Sequence, residues 1–229
     1  MPSMETPSTY VPVRAELEAE LLTDKELAIV LKRAMDVVLA TVGLVTLAPI
    51  LLLIALTIKL DSRGPVLYRQ ARHGLDGEVF SLIKFRTLRF ATCDAPEGRF
   101  RQVTRDDPRV TRLGRPLRWT SLDELPQLVN VLRGEMSIVG PRPHPIALND
   151  HYAGKIDRYL ERHAVKPGIT GWAQVNGLRG ETDTLNKMER RVRHDLYYVE
   201  KWSLGLDIRI IFRTLLFGFI DGGVRSHGL

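Results

Sequence analysis

The chain has 229 residues, 44% of them hydrophobic, which suffices for one domain with a sizeable core and one membrane element. Lysine and arginine number 33 against 27 acidic residues, and the formal net charge of +6 predicts an anionic partner: a phosphate-rich substrate, anionic lipid or nucleic acid. A single cysteine, Cys93, excludes an intrachain disulfide and a cysteine-based zinc site, as is usual for proteins that face the cytoplasm.

The N-terminal region divides into two segments by composition. Residues 1–13 carry three prolines among serine and threonine and are predicted to be disordered, because such a segment buries little apolar surface. In residues 14–32, leucines and an isoleucine recur at helical spacing among charges, which predicts an amphipathic helix that either lies on the membrane surface or packs on the domain. No cleavable signal peptide is expected, since the first strongly apolar run begins only at Val37.

A stretch of 22 residues without a charged side chain, residues 37–58, is long enough to span a bilayer as a helix. Two features argue against a simple span. Pro49 lies near its middle, where a proline frees a carbonyl that lipid cannot satisfy. Basic residues flank both ends and favour the cytoplasmic side for each. The pattern therefore favours a re-entrant helix, broken at Pro49, over a full span or a buried helix of a soluble core.

The remaining chain is predicted to form one small α/β domain that is mostly helical with short strands. Two strands are expected at residues 66–69 and 79–84, separated by turn-forming glycines. Helices are expected at residues 122–132 and 184–199. A largely apolar segment, residues 204–220, would lie at the lipid interface or in the core.

Two adjacent carboxylates, Asp123 and Glu124, lie in the first turn of the predicted helix 122–132. One interpretation is structural, because Ser121 and Glu124 have the spacing of a capping box. The other is chemical: the helix start and nearby arginines keep Asp123 ionised, as a carboxylate nucleophile must be to attack phosphorus and form an acyl phosphate. Both can hold together, with Glu124 capping or binding metal while Asp123 attacks.

A carboxylate that attacks an anionic diphosphate requires cations. Two like unit charges about 4 Å apart repel by about 4 kcal/mol at an effective dielectric constant of about 20. Carboxylate ligands and a phosphate substrate predict Mg²⁺ as the ion that offsets this repulsion. Lys84 and Arg86 would share one strand face, either as a phosphate clamp or as a solvated edge. Arg142 lies between Pro141 and Pro143, which either present its guanidinium to phosphate or simply make a rigid turn.

The segment of residues 166–177 combines three glycines with Trp172, Gln174 and Asn176. This composition suits a loop whose aromatic ring stacks on a base or sugar and whose amides donate hydrogen bonds to it. We therefore take Gln174 and Asn176 as candidate substrate contacts. The six histidines have no spacing typical of a metal site.

Several motifs follow one another along the chain. They are Lys-Arg-x-x-Asp from residue 32, KFRT (84–87), SLDELPQL (121–128), MSIVGPRP (136–143), KPGITGW (166–172) and DLYY (195–198). From about residue 32 to residue 219 the chain thereby resembles the bacterial sugar transferases known as monotopic polyprenyl-phosphate phosphoglycosyl transferases. Leu88 departs from the family pattern, which often has methionine at that position.

The resemblance implies an architecture and a place in the cell. A catalytic domain, residues 63–229, would lie on the cytoplasmic face of the bacterial inner membrane. Residues 14–62 would anchor it through the amphipathic helix and a re-entrant helix that breaks at Pro49.

The resemblance also implies Mg²⁺ and a two-step reaction of the hexose phosphotransferase type. A UDP-hexose would lose UMP to form a covalent phosphosugar-enzyme, which undecaprenyl phosphate would then attack. The residues that the resemblance assigns are Asp123 as the nucleophile, Glu124 as its acidic partner, both at the metal, and Lys84, Arg86 and Arg142 as phosphate contacts.

Residues 176–184 look like the glucose 1-phosphate branch of this family, with galactose 1-phosphate as the alternative. The expected partners are a UDP-hexose, undecaprenyl phosphate and membrane lipid, without nucleic acid, and a homodimer is allowed. Two other classes stay open on the residues alone: a nonenzymatic scaffold, and a membrane-anchored nucleic-acid binder that uses the 13 lysines and arginines of residues 63–118. A nucleic-acid binder would lose affinity steeply with salt, and a scaffold would tolerate changes at Asp123.

Overall fold

The computed structural model describes residues 13–90, 104, 107–180, 182 and 184–217. The predicted disorder of residues 1–13 lies outside these residues, except for Val13, which begins the first helix. The helices are α1 (Val13–Asp61), α2 (Gly114–Thr120), α3 (Gln127–Arg133), α4 (Ile146–Ala153), α5 (Trp172–Val175), α6 (Leu185–Lys201) and α7 (Leu204–Phe217). The strands are β1 (Leu67–His73), β2 (Val79–Phe85), β3 (Ser137–Val139) and β4 (Gly168–Thr170).

The described part of the chain is mostly helical, with two separate two-stranded sheets. The hairpin of β1 and β2 is antiparallel and places Tyr68 opposite Lys84. The second sheet pairs β3 with β4 in parallel, with Ser137 opposite Gly168. The prediction of a mostly helical domain with short strands is confirmed at this level, and α6 matches the helix expected at residues 184–199.

The first helix is longer than predicted. The amphipathic segment and the apolar stretch belong to one helix, α1, which continues through Pro49, so the prediction that the helix is broken at Pro49 is wrong. A proline removes one backbone donor, and the hydrogen bonds on either side can maintain the helix around it. Within the described residues, one helix is long and apolar enough to cross a membrane, and it covers Asp24–Asp61 of α1.

One face of α1 packs along the domain over most of the apolar stretch. Ala40 is fully buried against α3 and β2, and Ile58 is buried against Phe85 of β2. The opposite face is open: Leu52 is 71% exposed and Leu60 is 78% exposed. The same domain therefore contacts both ends of the apolar segment and leaves its other face uncovered.

Polar side chains fix the beginning of the apolar stretch to the domain. The ammonium of Lys32 lies 2.6 Å from Oδ2 of the buried Asp207 in α7. The carboxylate of Asp36 accepts hydrogen bonds from the Ser137 hydroxyl (3.0 Å) and the Ile138 amide (2.9 Å). The Lys-Arg-x-x-Asp motif thus joins α1 to α7 and to β3, because buried charged groups are stable only with such partners.

Candidate active site

The two carboxylates lie in a short 3-10 turn, Leu122–Glu124, between α2 and α3. The predicted helix of residues 122–132 is therefore interrupted, and the capping box is absent. Ser121 is the C-cap of α2 in the left-handed conformation, with φ of 62°, and its side chain caps nothing. An N-cap needs extended backbone, so one residue cannot fill both positions. The prediction of a capping box between Ser121 and Glu124 is accordingly wrong.

Asp123 is buried, with 5% of its surface exposed, and its carboxylate accepts no hydrogen bond from the described residues. Burial raises the pKa of Asp123 to about 6, and the negative charge of Glu124 adds to the rise. The charges of Lys84, Arg118 and Arg142 act in the opposite direction. A buried carboxylate without partners is energetically costly, and such groups concentrate at functional sites.

Glu124, unlike Asp123, pairs with positively charged side chains at short distance. Arg142 pairs with both of its oxygens, through Nη2 to Oε1 and through Nη1 to Oε2 at 3.1 Å. Nη2 of Arg179 lies 3.6 Å from Oε2. Burial would raise the pKa of Glu124, but the charge and hydrogen bonds of Arg142, together with Arg179 and Lys84, hold it at about 2. Glu124 is therefore ionised at neutral pH and fixes the two arginines that flank Asp123.

Lys84 and Arg142 are the predicted phosphate contacts that the structure brings to the carboxylates. The ammonium of Lys84 on β2 lies 5.6 Å from the ring centroid of Tyr68. Burial lowers the pKa of Lys84 to about 8, and the charge of Asp123 opposes this shift. The prediction that these two cations lie near Asp123 agrees with the geometry, and their contact with phosphate stays a prediction.

Sequence reasoning missed three further arginines at this site. Arg118 lies in the last turn of α2, and its charge opposes the rise in the pKa of Asp123, whereas Arg179 approaches Glu124. Arg72 on β1 donates to the Pro143 carbonyl at 3.0 Å, and burial followed by the charge of Arg142 lowers its pKa to about 9. Strand alternation could have identified Arg72, because positions 68 and 72 of β1 share the face that carries Lys84.

A buried ion pair between Arg162 and Asp195 contacts the backbone of Arg142. Arg162 donates from Nη2 to the Arg142 carbonyl at 2.7 Å and lies 2.6 Å from Oδ2 of Asp195 in α6. Both side chains of this pair are almost fully buried. Burial raises the pKa of Asp195, and the charge of Arg162 opposes that rise. A buried ion pair is tolerated where its hydrogen bonds are satisfied. The hydrogen bond from Arg162 fixes the backbone of Arg142, which in turn holds Glu124.

Arg86 is not directed at the two carboxylates. Its guanidinium donates to three backbone carbonyls after the end of α1, those of Ser62 (2.8 Å), Arg63 (2.7 Å) and Pro65 (2.7 Å). Arg86 follows the last residue of β2, so the alternation that would place it beside Lys84 no longer applies. The geometry favours a structural role for Arg86, as a clamp between α1 and the hairpin.

Gln174 and Asn176 form hydrogen bonds with residues of α5, β4 and α7. The Gln174 amide donates to the Ile169 carbonyl at 3.1 Å. Asn176 donates to the Trp172 carbonyl at 2.7 Å and accepts from Nη1 of Arg213 at 3.2 Å. Both amides thus contribute to packing, and their contact with a substrate stays a prediction.

The metal prediction can be tested against the donor set. Both oxygens of Glu124 pair with Arg142, whereas those of Asp123 have no protein partner among the described residues. Within the described residues, no group of three or more His, Cys, Asp and Glu could hold a metal ion. Mg²⁺ is commonly held by one or two carboxylates together with water and substrate phosphates. Asp123 fits such a site.

Several known proteins are similar to this chain in sequence. A relative from Escherichia coli (strain K12), named UDP-glucose:undecaprenyl-phosphate glucose-1-phosphate transferase, is 55% identical over 191 residues, which cover 83% of this chain and 40% of the relative. A protein of the same name from Caulobacter vibrioides is 50% identical over 184 residues, covering 80% of this chain and 68% of the relative. The exopolysaccharide production protein PSS of Rhizobium leguminosarum bv. phaseoli is 48% identical over 191 residues, which cover 82% of this chain and 94% of the relative.

The chain spans only part of some of these relatives, about 40% of the Escherichia coli protein. The family model described as bacterial sugar transferase matches residues 27–220, which include α1 from residue 27 onward, the two carboxylates and every residue placed at the site. The chain belongs to the bacterial sugar transferase family.

Proposed function

We propose that this chain transfers glucose 1-phosphate from UDP-glucose to undecaprenyl phosphate and releases UMP. The names of the Escherichia coli and Caulobacter vibrioides relatives support this donor and acceptor. The observation that carries the proposal is the carboxylate of Asp123, which is buried, has no hydrogen-bond partner among the described residues and lies near several cations. Such an arrangement costs stability and is expected where a charged oxygen must react.

In the first step an oxygen of Asp123 attacks the phosphorus that bears the sugar. A bond forms between that oxygen and phosphorus, and the bond from phosphorus to the bridging oxygen breaks and releases UMP. With a pKa of about 6, Asp123 is mostly ionised at neutral pH and retains the lone pair that the attack needs. Lys84 and Arg142 would lower the repulsion between the carboxylate and the diphosphate, which is about 4 kcal/mol for one charge pair at close range.

In the second step an oxygen of undecaprenyl phosphate attacks the same phosphorus. The bond to Asp123 breaks, the carboxylate is regenerated, and the product is a polyprenyl diphosphate sugar. Bound Mg²⁺ would neutralise part of the phosphate charge, with Asp123 as the protein ligand. Glu124 would act by keeping Arg142 and Arg179 in place.

Release of UMP from a panel of UDP-sugars tests the proposed activity. Purified protein with undecaprenyl phosphate and Mg²⁺ is expected to release UMP from UDP-glucose faster than from UDP-galactose or UDP-N-acetylglucosamine. Release without the lipid acceptor should stop after one turnover, because each Asp123 can hold only one phosphosugar. Preference for UDP-galactose would reassign the sugar, and absence of release with every donor would refute the transferase function.

We further propose that α1, although continuous, bends at Pro49 in the membrane and is a re-entrant anchor with both ends on the cytoplasmic side, because proline is a common cause of sharp bends within a helix. The domain contacts α1 at Lys32 and Asp36 and again at Ile58, positions that a straight helix would separate by about 40 Å. The apolar core of a bilayer is about 30 Å thick, and a polar domain does not cross it. The exposed apolar side chains of α1, and those of Ile208 and Phe212 on α7, would then face lipid.

Cysteine labelling tests this topology. Single cysteines at Lys25 and Asp61, both exposed, are introduced separately into a chain in which Cys93 is replaced by serine. Neither is expected to react with a membrane-impermeant maleimide in intact spheroplasts, and both should react after permeabilisation. Asp157→Cys, on the exposed domain surface, is the matched control. Labelling of one of the two helix ends in intact spheroplasts would show a full span.

A further inference from the structure

Arg191 of α6 is a buried arginine that donates hydrogen bonds to the turn of residues 177–180, which precedes this helix. Its Nε donates to the Leu178 carbonyl at 2.9 Å, and its Nη2 donates to the Gly180 carbonyl at 2.5 Å. These two carbonyls belong to the residues on either side of Arg179. One planar guanidinium therefore holds the backbone on both sides of an arginine that approaches Glu124.

The other side of this turn is fixed by the end of α5. The amide of Gly177 donates to the Gln174 carbonyl at 3.2 Å, and the amide of Leu178 donates to the Ala173 carbonyl at 3.0 Å. Gly177 has φ of 79°, in the left-handed region that glycine adopts readily, and so reverses the chain after the helix. The turn thus lies between α5 and Arg191, and Arg179 extends from it to within 3.6 Å of Oε2 of Glu124.

Burial of the positive charge of Arg191 is energetically unfavourable. Only 6% of its surface is exposed, and burial, followed by the positive charge of Arg142, lowers the pKa of Arg191 to about 10. Asp195, one turn later in α6, offsets part of this cost but already pairs with Arg162. An apolar side chain would fill the same space without the charge. What only a guanidinium supplies here is a pair of donors matched to two carbonyls in fixed geometry.

We infer that Arg191 is a positioning residue of the transferase site, which holds the turn of residues 177–180 so that Arg179 stays against Glu124. This role rests on the proposed function and adds to it. Arg191 does not touch the carboxylates itself. Arg191 acts through the backbone on either side of Arg179. Arg162 acts in a similar way through the backbone of Arg142.

The test is a double-mutant cycle on UMP release from UDP-glucose. Arg191→Met is expected to lower kcat/KM roughly 10- to 100-fold, as is typical when a group that orients a site residue is lost. In the Arg179→Ala background the same change should cost less than about twofold, because the residue it positions is already gone. Arg191→Lys, which cannot bridge both carbonyls, should lie between Arg191→Met and wild type. Arg190→Met, exposed on the same helix, should leave kcat/KM unchanged.

The outcomes separate this role from a purely structural one. An equal loss with and without Arg179, or no loss at all, would overturn the inference. Melting temperature is measured for each variant, and failure of even Arg191→Lys to fold would assign Arg191 to the core and overturn it as well. A wild-type protein that releases no UMP from any UDP-sugar would instead refute the proposed function, and this role with it.

Discussion

Replacement of Asp123 by asparagine is expected to lower UMP release from UDP-glucose by about 10,000-fold, the scale of losing a nucleophile. The amide keeps the size of the side chain but cannot form an acyl phosphate, so both steps fail together. The position is buried and without hydrogen-bond partners among the described residues, so the variant loses no hydrogen bond to them that could explain the effect. Steady-state UMP release measures it.

The same variant is expected to be more stable than wild type at neutral pH. The pKa of Asp123 is raised from 3.8 to about 6, so ionisation opposes folding as the pH rises through this range. Two pKa units correspond to about 3 kcal/mol above pH 6, and this cost disappears below pH 4, where the carboxyl is neutral in both states. The melting temperature of Asp123→Asn should therefore exceed that of wild type at pH 7.5 and match it at the lowest pH.

An exposed carboxylate provides the control for both measurements. Asp150→Asn, at the surface of α4, should change neither UMP release nor the melting temperature. If Asp123→Asn released UMP at the wild-type rate, Asp123 would not be the nucleophile. If it were less stable than wild type at pH 7.5, the cost assigned to its ionisation would be wrong.

Glu124→Gln is expected to have the opposite effect on stability and a large effect on activity. The pKa of Glu124 is held at about 2 by Arg142 and Arg179, so its charge stabilises the fold at every pH above about 4. Removal of this charge leaves the two arginines without their shared partner, and loss of a hydrogen bond to a charged group costs about 1.5 to 3 kcal/mol at a partly buried pair of this kind. We expect a lower melting temperature and about 100-fold slower UMP release, because misplaced arginines no longer offset the charge of the diphosphate.

A second replacement distinguishes loss of the pair from a general defect in packing. Glu124→Gln combined with Arg142→Met should recover part of the lost stability, since the guanidinium that paired with both oxygens of Glu124 is removed as well, while UMP release stays low. Glu78→Gln, an exposed carboxylate beside β2, is the matched control and should be neutral. A fully stable Glu124→Gln protein would contradict the role given to the Arg142 pair.

Local patterns predicted the elements that depend on local chemistry. Alternation around Gly74 and Gly77 gave the hairpin of β1 and β2, and helical spacing gave α6 to within two residues at each end. Adjacent acids at residues 123 and 124 and an arginine between prolines were candidates on the residues alone, and the family resemblance selected them for the centre of the candidate site. In each case the determinant lies within a few residues of the position predicted, so no knowledge of the tertiary structure was needed.

Where the structure differs from the sequence-based expectations, another part of the folded protein already uses the residue concerned. Ser121 could cap a helix by its spacing, but it already ends α2 in the left-handed conformation. Arg86 could bind phosphate by its chemistry, but three carbonyls after α1 take its donors. Arg179 is one arginine among many in the sequence, and only the turn held by Arg191 brings it to Glu124.

The central claim is that an oxygen of Asp123 bonds transiently to the sugar-bearing phosphorus. Mass spectrometry of the wild-type protein incubated with UDP-glucose and Mg²⁺, without lipid acceptor, tests it most directly. We predict a hexose phosphate adduct on the peptide that contains Asp123, formed with one UMP per protein and discharged by undecaprenyl phosphate. An adduct on another side chain, or UMP release that requires the lipid acceptor from the first turnover, would contradict the two-step mechanism.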